Sequence, residues 1–116
     1  MCVPQSPYVE VLPGVSSRLI HCDEHIVVIE TRLAPGAMVP RHSHESLQIS
    51  FCVKGRMELV IGNEKVLMTP GSYRVIPPRV EHEARALEET VVVDVNSPLT
   101  EDRKELIERL GGCRTR

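Results

Sequence analysis

The sequence predicts an all-β domain with one short helix near its carboxyl end. Short apolar stretches are separated by glycine, proline and asparagine over residues 18–95, several of them are rich in β-branched residues, and the one helix-like segment follows Pro98. The chain has 116 residues, which suits one domain and leaves no room for a second. With 41% hydrophobic and 26% charged residues, it has the composition of a folded globular protein.

The apolar stretches are interpreted as strands that often pair antiparallel. Residues 27–31 and 91–95 are rich in β-branched side chains, and residues 56–61 begin with an alternating pattern. Turn-forming residues lie close to these stretches, so most connections should be tight. The predicted reversals are Pro35-Gly36, Gly55, Gly62-Asn63, Thr69-Pro70-Gly71 and Pro77-Pro78.

The two ends of the chain are predicted to lie outside this β core, which takes residues 15–98. Residues 1–14 are rich in proline and should form an extended arm that either frays or lies across a partner subunit. Residues 99–116 are predicted to form a helix and tail. Pro98 would start the helix, and Gly111 would help to end it.

Charge and composition exclude several classes of partner. A net charge of −2 gives no broad positive field for a phosphate backbone, and one phenylalanine with two tyrosines is too few for a base-stacking platform. No apolar run approaches the roughly 20 residues of a membrane helix, and the first residues lack the apolar core of a signal peptide. We therefore expect no nucleic-acid partner, no membrane partner and a cytoplasmic location.

The four cysteines are predicted to be reduced and structural. They lie far apart without a Cys-x-x-Cys pair, so neither a zinc knuckle nor a dithiol redox motif can be assigned. They are Cys2, Cys22, Cys52 and Cys113.

Three of the five histidines and one glutamine fall in two short segments: His42, His44 and Gln48 in the first, and His82 in the second. Residues two apart share a face in an extended segment but not in a helix, so His42 and His44 can converge on one ion only from an extended chain. In a straight strand Gln48 would lie about 13 Å beyond His44, at about 3.3 Å per residue. A shared site therefore requires a bend between them.

Together with nearby glycines and a proline, these residues resemble the two sequence motifs of the cupin superfamily over residues 15–98. The first motif is matched by Gly36, five residues, His42, one, His44, three, Gln48, six and Gly55, and the second by Gly71, five residues, Pro77, four and His82. The resemblance implies a cupin double-stranded β-helix, which is a jelly-roll barrel, commonly assembled as a homodimer. This sequence departs from the motifs at Gln48, where most cupins carry glutamate, at Arg79 for glycine and at Ala86 for asparagine.

The resemblance implies one divalent transition metal per subunit, bound in the barrel by His42, His44, Gln48 and His82. Three imidazoles and an amide are compatible with Fe, Mn, Ni, Co, Cu or Zn. Because no carboxylate would lower the charge of the ion, its open positions favour a small oxygenated anionic substrate or ligand. For Gln48, a hydrogen-bonding role inside the barrel is the alternative.

The set of three histidines and one glutamine is most similar to that of the uronate-linearising cupins of pectin and alginate degradation. The similarity implies ring opening and tautomerisation of an unsaturated uronate, with Asp94 as the catalytic residue. A structural role for Asp94 near the strand end is the alternative. The matching segments are Leu47-Gln48-Ile49-Ser50, Ile76-Pro77-Pro78 and Asp94-Val95-Asn96-Ser97-Pro98.

Two positions differ from that group. Asn96 and Thr100 stand where the uronate cupins carry an aromatic residue and an arginine, and a threonine cannot replace the bidentate contact of a guanidinium with a carboxylate. The candidate replacements are Arg41, Arg74 and Arg103.

Three functions remain open at this point. The first is a metal-dependent isomerase or tautomerase for a small sugar-acid-like substrate. The second is a metal-dependent dioxygenase, which also needs open positions on the metal. The third is a non-catalytic cupin that binds a metal or a small ligand.

The strand that carries Gln48 also has an apolar outer side. Ile49, Phe51 and Val53 would form a row that a small monomeric barrel should not expose. We expect a second subunit to cover this row, and cover by the N-terminal arm or by the C-terminal helix is the alternative. His21 and His25 lie outside both motifs and are interpreted as exposed or satisfied residues.

Overall fold

A computed structural model describes residues 7–113, which form ten strands followed by a 3-10 turn and a short α-helix. The strands are β1 (Val9–Leu12), β2 (Val15–Cys22), β3 (Val27–Leu33), β4 (Met38–His42), β5 (Leu47–Lys54), β6 (Met57–Ile61), β7 (Glu64–Met68), β8 (Tyr73–Ile76), β9 (His82–Ala86) and β10 (Thr90–Ser97). The 3-10 turn is Glu101–Arg103, and the helix, α1, is Lys104–Arg109.

The strands form two antiparallel sheets. One has six strands in the order β1-β2-β3-β10-β5-β8, and the other has four in the order β4-β9-β6-β7. Strands that are distant in the chain are neighbours in both sheets, as in a jelly roll. The prediction of an all-β fold with a short C-terminal helix is confirmed.

The main core lies between the two sheets, because strands of both contribute alternate side chains to it. Burying these apolar groups is the main stabilising contribution to the barrel. The free thiol of Cys52 lies in this core, as the sequence predicts for a small hydrophobe. The buried members are Val15, Leu33, Cys52, Met57, Leu59, Met68, Ile76, Ala86 and Val92.

A second apolar cluster attaches the C-terminal segment to the large sheet. Ile107 and Leu110 pack against Val27 and Ile29. Beside them, Cys22 at the end of β2 forms a disulfide with Cys113. The prediction that all four cysteines are reduced is therefore wrong for this pair. Cys2 lies outside the described residues.

The C-terminal helix begins later than the sequence predicts. The peptide bond before Pro98 is cis, the 3-10 turn follows, and α1 starts only at Lys104. Its end agrees with the prediction, since Gly111 has a φ of 111° and its N–H donates to the Glu108 carbonyl at 3.1 Å. No helix within residues 7–113 has the length and apolar character needed to cross a membrane.

The domain limits at residues 15 and 98 remain a prediction. Within the described part of the predicted arm, β1 pairs with β2 at the edge of the six-stranded sheet. At the turn after β5, Gly55 has a φ of 87°, and a Cβ there would collide with the carbonyl oxygen of Glu89. This close approach gives a physical reason for the glycine at that place in the first motif.

Candidate metal site

The two histidine segments meet where β4 and β9 pair. His42 is the last residue of β4 and lies directly opposite His82, the first residue of β9. His44 follows β4, the chain bends at residues 45 and 46, and Gln48 is the second residue of β5. The bend that a shared site requires is therefore present.

The three imidazole rings are close enough to serve one ion. The centroid of the His82 ring is 4.3 Å from that of His42 and 4.9 Å from that of His44, and the other two centroids are 5.7 Å apart. One ring nitrogen of each residue lies within 4.8 Å of the other two. Nitrogen ligands sit about 2.0–2.1 Å from a zinc-sized ion, so a small inward movement of the side chains suffices. These three residues fit a divalent metal.

Backbone carbonyls favour the tautomer of two of these rings in which Nδ1 is protonated and Nε2 is free to bind a metal. His42 Nδ1 lies 2.8 Å from the Pro40 carbonyl oxygen, and His82 Nδ1 lies 2.9 Å from that of Val80. A proton on each Nδ1 donates to the carbonyl and leaves the Nε2 lone pair for a cation. His82 Nε2 is buried and has no hydrogen-bond partner among residues 7–113. A buried nitrogen without a hydrogen-bond partner is suited to bind a metal ion.

Gln48 is oriented by a chain of hydrogen bonds. Its Nε2 donates to Ser50 Oγ at 2.9 Å, and the Ser50 hydroxyl donates to Asp94 Oδ1 at 2.6 Å. The amide oxygen is thereby turned towards His44, whose Nε2 lies 2.7 Å away. The Oε1 atom thus faces the imidazoles, which fits a ligand and also fits the hydrogen-bonding role that was the alternative.

Burial favours the neutral form of the His44 and His82 imidazoles, which coordination requires. Desolvation lowers the pKa of His82 to about 4, and the charges of His42 and His44 act in the same direction. Desolvation also lowers the pKa of His44. Both rings can therefore offer a lone pair at neutral pH.

Asp94 lies next to this cluster on β10, where it pairs across the sheet with Ser50. Its pKa is raised by burial, against the opposing effects of the Ser50 hydrogen bond and the positive charge of Arg103. A carboxyl group with a raised pKa is suited to proton transfer near neutral pH.

The cluster opens into a cavity of about 410 Å³ between the sheets, a volume suited to a small ligand. Apolar side chains of both sheets form most of the wall. The polar residues that line it are Ser17, Thr31, Arg41, His42, Gln48, His82, Glu83, Asp94, Arg103 and Arg109.

The structure separates the three candidate arginines. Arg74 is exposed and does not line this cavity. Arg41 lines it but donates to the carboxylates of Glu81 and Glu83, at 3.4 and 3.1 Å. Arg103, in the 3-10 turn, also lines the cavity and is half-buried. The sequence alone does not predict the orientation of this side chain, since it depends on how the C-terminal segment packs.

The remaining histidines are as the sequence predicts. His21 is exposed and its Nε2 lies 2.7 Å from Asp23 Oδ2, while His25 is exposed beside Glu24. The sequence reasoning gave no role to Ser50, although it alternates with Gln48 along β5 and thus shares the inner face.

Comparisons with known proteins agree with this fold. A family model described as Cupin domain matches residues 29–96. The chain belongs to the cupin family. The curated pectin degradation protein KdgF of Dickeya dadantii is 27% identical over 100 residues, which cover 84% of this cupin and 91% of that protein.

Two solved structures extend the comparison. KdgF from a Halomonas species is 30% identical, with a TM-score of 0.79 and coverage of 83% of this chain and 89% of that one. An RmlC-like cupin from Shewanella frigidimarina has a TM-score of 0.80 at 22% identity, covering 84% and 87%, and shows the fold alone. The resemblance to cupins, and among them to cupins of pectin degradation, is confirmed.

Proposed function

We propose that this cupin binds one divalent transition metal per subunit through His42, His44, Gln48 and His82, and isomerises or tautomerises a small sugar-acid-like substrate. The observation that carries the proposal is the convergence of three imidazoles next to a small cavity that Asp94 also lines. The similarity to proteins named for pectin degradation supports the class of substrate.

In this proposal Asp94 moves the proton. Ring opening and tautomerisation need a group that takes a proton from one substrate atom and returns it to another. The Ser50 hydroxyl holds Asp94 Oδ1 and thereby orients the carboxyl, and burial keeps its pKa above the ordinary range. A bound metal would supply Lewis-acid polarisation of substrate oxygens.

Incubation with unsaturated uronates, followed by their loss of ultraviolet absorbance, tests this function. We expect a metal-dependent rate above the spontaneous one. Asp94→Asn should lower kcat by at least about 100-fold, the lower range for loss of a general acid or base, with unchanged metal content. A rate equal to the spontaneous one would exclude uronates as substrates.

The two other functions give different results. A dioxygenase would consume oxygen in the presence of metal and a small organic acid. A non-catalytic cupin would show saturable thermal stabilisation by ligand with no turnover. Elemental analysis of protein purified without a polyhistidine tag would identify the metal and its ratio to the chain.

We also propose a homodimer formed through the outer face of β5 and β8. Phe51, Val53, Tyr73 and Val75 are 39%, 55%, 57% and 48% exposed and lie side by side, since Phe51 pairs with Tyr73. An apolar face of this kind usually marks an interface. The C-terminal helix packs on another part of the sheet, so it does not cover this face.

Sedimentation measurements test the dimer. Val53→Glu with Val75→Glu should shift a dimer to monomer, whereas Leu67→Glu, at an equally exposed apolar position on β7, should not. A monomeric wild-type protein would contradict the proposal.

The cytoplasmic location is a further part of the proposal that can be tested. Disulfides are rare in the cytoplasm, where thiols are kept reduced, and Cys22 forms one with Cys113. Alkylation of thiols at the moment of cell lysis, followed by mass spectrometry, reports their state. A fully oxidised pair in the cell would contradict a cytoplasmic location.

A further inference from the structure

Among residues 7–113, three arginines line the cavity, and their surroundings differ. Arg41 is paired with two glutamates. Arg109 is exposed and donates to the Glu10 carbonyl oxygen at 3.4 Å. Arg103 is half-buried, its Nε is buried without a hydrogen-bond partner, and its side chain makes no ion pair within residues 7–113.

A guanidinium N–H that is buried without a partner is costly, because it has lost water and gained no hydrogen bond in exchange. Burial lowers the pKa of Arg103, but a guanidinium remains protonated at neutral pH. The charges of Asp94 and Asp102 favour its protonated form, but neither carboxylate makes a hydrogen bond or an ion pair with the guanidinium. Asp102 accepts a hydrogen bond from the Glu45 N–H at 2.9 Å, and Asp94 is engaged by Ser50.

The position of Arg103 suits a ligand that also reaches the histidines. Arg103 lines the same cavity as His42, Gln48 and His82, so a ligand in this cavity meets both the guanidinium and the cluster. A guanidinium presents parallel N–H donors that match the two oxygens of a carboxylate. A small acid can therefore place its carboxylate at Arg103 and its other oxygens at the histidines.

The segment that carries Arg103 is firmly attached. Asp102, the preceding residue, is bound to the chain at Glu45, beside His44. On the other side, Ile107 packs in the second apolar cluster, and the disulfide to Cys22 follows α1. A donor held in place before binding loses little conformational entropy when the ligand arrives.

We infer that Arg103 is the carboxylate-binding residue of the cavity and sets its preference for acids over neutral sugars. The inference rests on the proposed function for the sugar-acid class of ligand, but binding of a carboxylate does not require turnover.

The test compares a saturated uronate, galacturonate, with the neutral sugar galactose by calorimetric titration of the metal-loaded protein. We expect the wild type to prefer galacturonate, and Arg103→Gln to weaken galacturonate binding by about 10- to 100-fold with little change for galactose. Arg103→Lys keeps the charge but not the paired N–H donors of the guanidinium, so it should lose less affinity for galacturonate than Arg103→Gln. Arg109→Gln is the matched control in the same cavity and should stay within about twofold of the wild type.

Each variant is also checked for metal content and Tm. If Arg103→Gln is poorly folded, the comparison of Arg103→Lys with the wild type decides. The inference is overturned if the wild type does not bind galacturonate, if Arg103→Gln binds it as tightly as the wild type, or if acid and neutral sugar weaken equally.

Failure here is distinguishable from failure of the proposed function. Suppose that Arg103→Gln loses acid binding and that the wild type does not turn over unsaturated uronates. This result would support the role of Arg103 and contradict the proposed enzymatic function. Turnover by Arg103→Gln with an unchanged KM would support the proposed enzymatic function and contradict the role of Arg103. An increased KM with a nearly unchanged kcat supports both.

Discussion

The histidine cluster and the C-terminal segment face the same cavity but are built differently. Two imidazoles of the cluster are held by carbonyls two residues away in the chain, Pro40 for His42 and Val80 for His82. The C-terminal segment is a short turn and a six-residue helix, too short to be stable alone. Long-range contacts hold it in place, including a disulfide that spans 91 residues. Local geometry thus orients the imidazoles, and tertiary packing positions the part of the cavity wall that the C-terminal segment contributes.

The largest expected effect is the loss of metal from the histidine cluster. His42→Ala with His44→Ala should weaken metal binding by at least about 1,000-fold, since even residues behind the ligands typically contribute 10- to 100-fold each. The barrel should remain folded, because its apolar core does not depend on the cluster.

Calorimetry and circular dichroism would measure the two quantities. His21→Ala with His25→Ala is the matched control and should keep the metal. Unfolding of the cluster variant would show that the metal site is structural.

Removal of the disulfide should have the opposite pattern. Cys22→Ser with Cys113→Ser should lower the free energy of unfolding by about 2–4 kcal/mol. Without the disulfide the unfolded chain is no longer closed into a long loop and regains conformational entropy. Metal binding should persist. Urea unfolding and elemental analysis check both parts. Loss of metal in the double variant would contradict the independence of the two regions.

Acid should lower the free energy of unfolding of the metal-free protein, because His82 in the histidine cluster becomes protonated. The pKa of His82 is about 4 in the folded protein and about 6.5 in an unfolded chain, so the unfolded state binds more protons between these values. The contribution of neutral His82 to the free energy of unfolding should therefore be fully present above about pH 6.5 and should be lost as the pH falls towards 4. Urea unfolding at several pH values, with chelator present, measures this dependence. His82→Gln should flatten it, and an equal slope in that variant would exclude His82 as the cause.

The smallest expected effect concerns Arg79, in the loop beside His44. Arg79 has a φ of 65°, which is unfavourable for a residue with a Cβ, and its N–H donates to the His44 carbonyl at 2.8 Å. Arg79→Gly should raise the free energy of unfolding by about 1 kcal/mol. Arg74→Gly, within β8, should instead lower it by a similar amount. Thermal unfolding of both variants measures the difference, and destabilisation by Arg79→Gly would contradict it.

Much of the histidine cluster could be anticipated from neighbouring residues. The spacing of His42 and His44 favours an extended chain, and the need for a bend before Gln48 follows from strand length. The apolar row on the outer side of β5 follows from alternation as well. These features depend on backbone geometry over a few residues, which the sequence encodes directly.

The C-terminal segment was predicted less well. The helix was expected directly after Pro98, but it starts at Lys104 after a 3-10 turn. The pairing of Cys22 with Cys113 was missed, since no local motif links residues 91 positions apart. Periodicity within a six-residue helix is also too short to define its buried side.

The sequence by itself determined the β class, the turns and the cupin motifs with their histidines. Only the tertiary structure decided which arginine of the cavity lacks an ion pair and which cysteines form a disulfide. The physical reason is distance along the chain: alternation and turn preferences act between near neighbours, whereas the direction of Arg103 depends on how a short helix packs against strands formed some eighty residues earlier, at Val27 and Ile29.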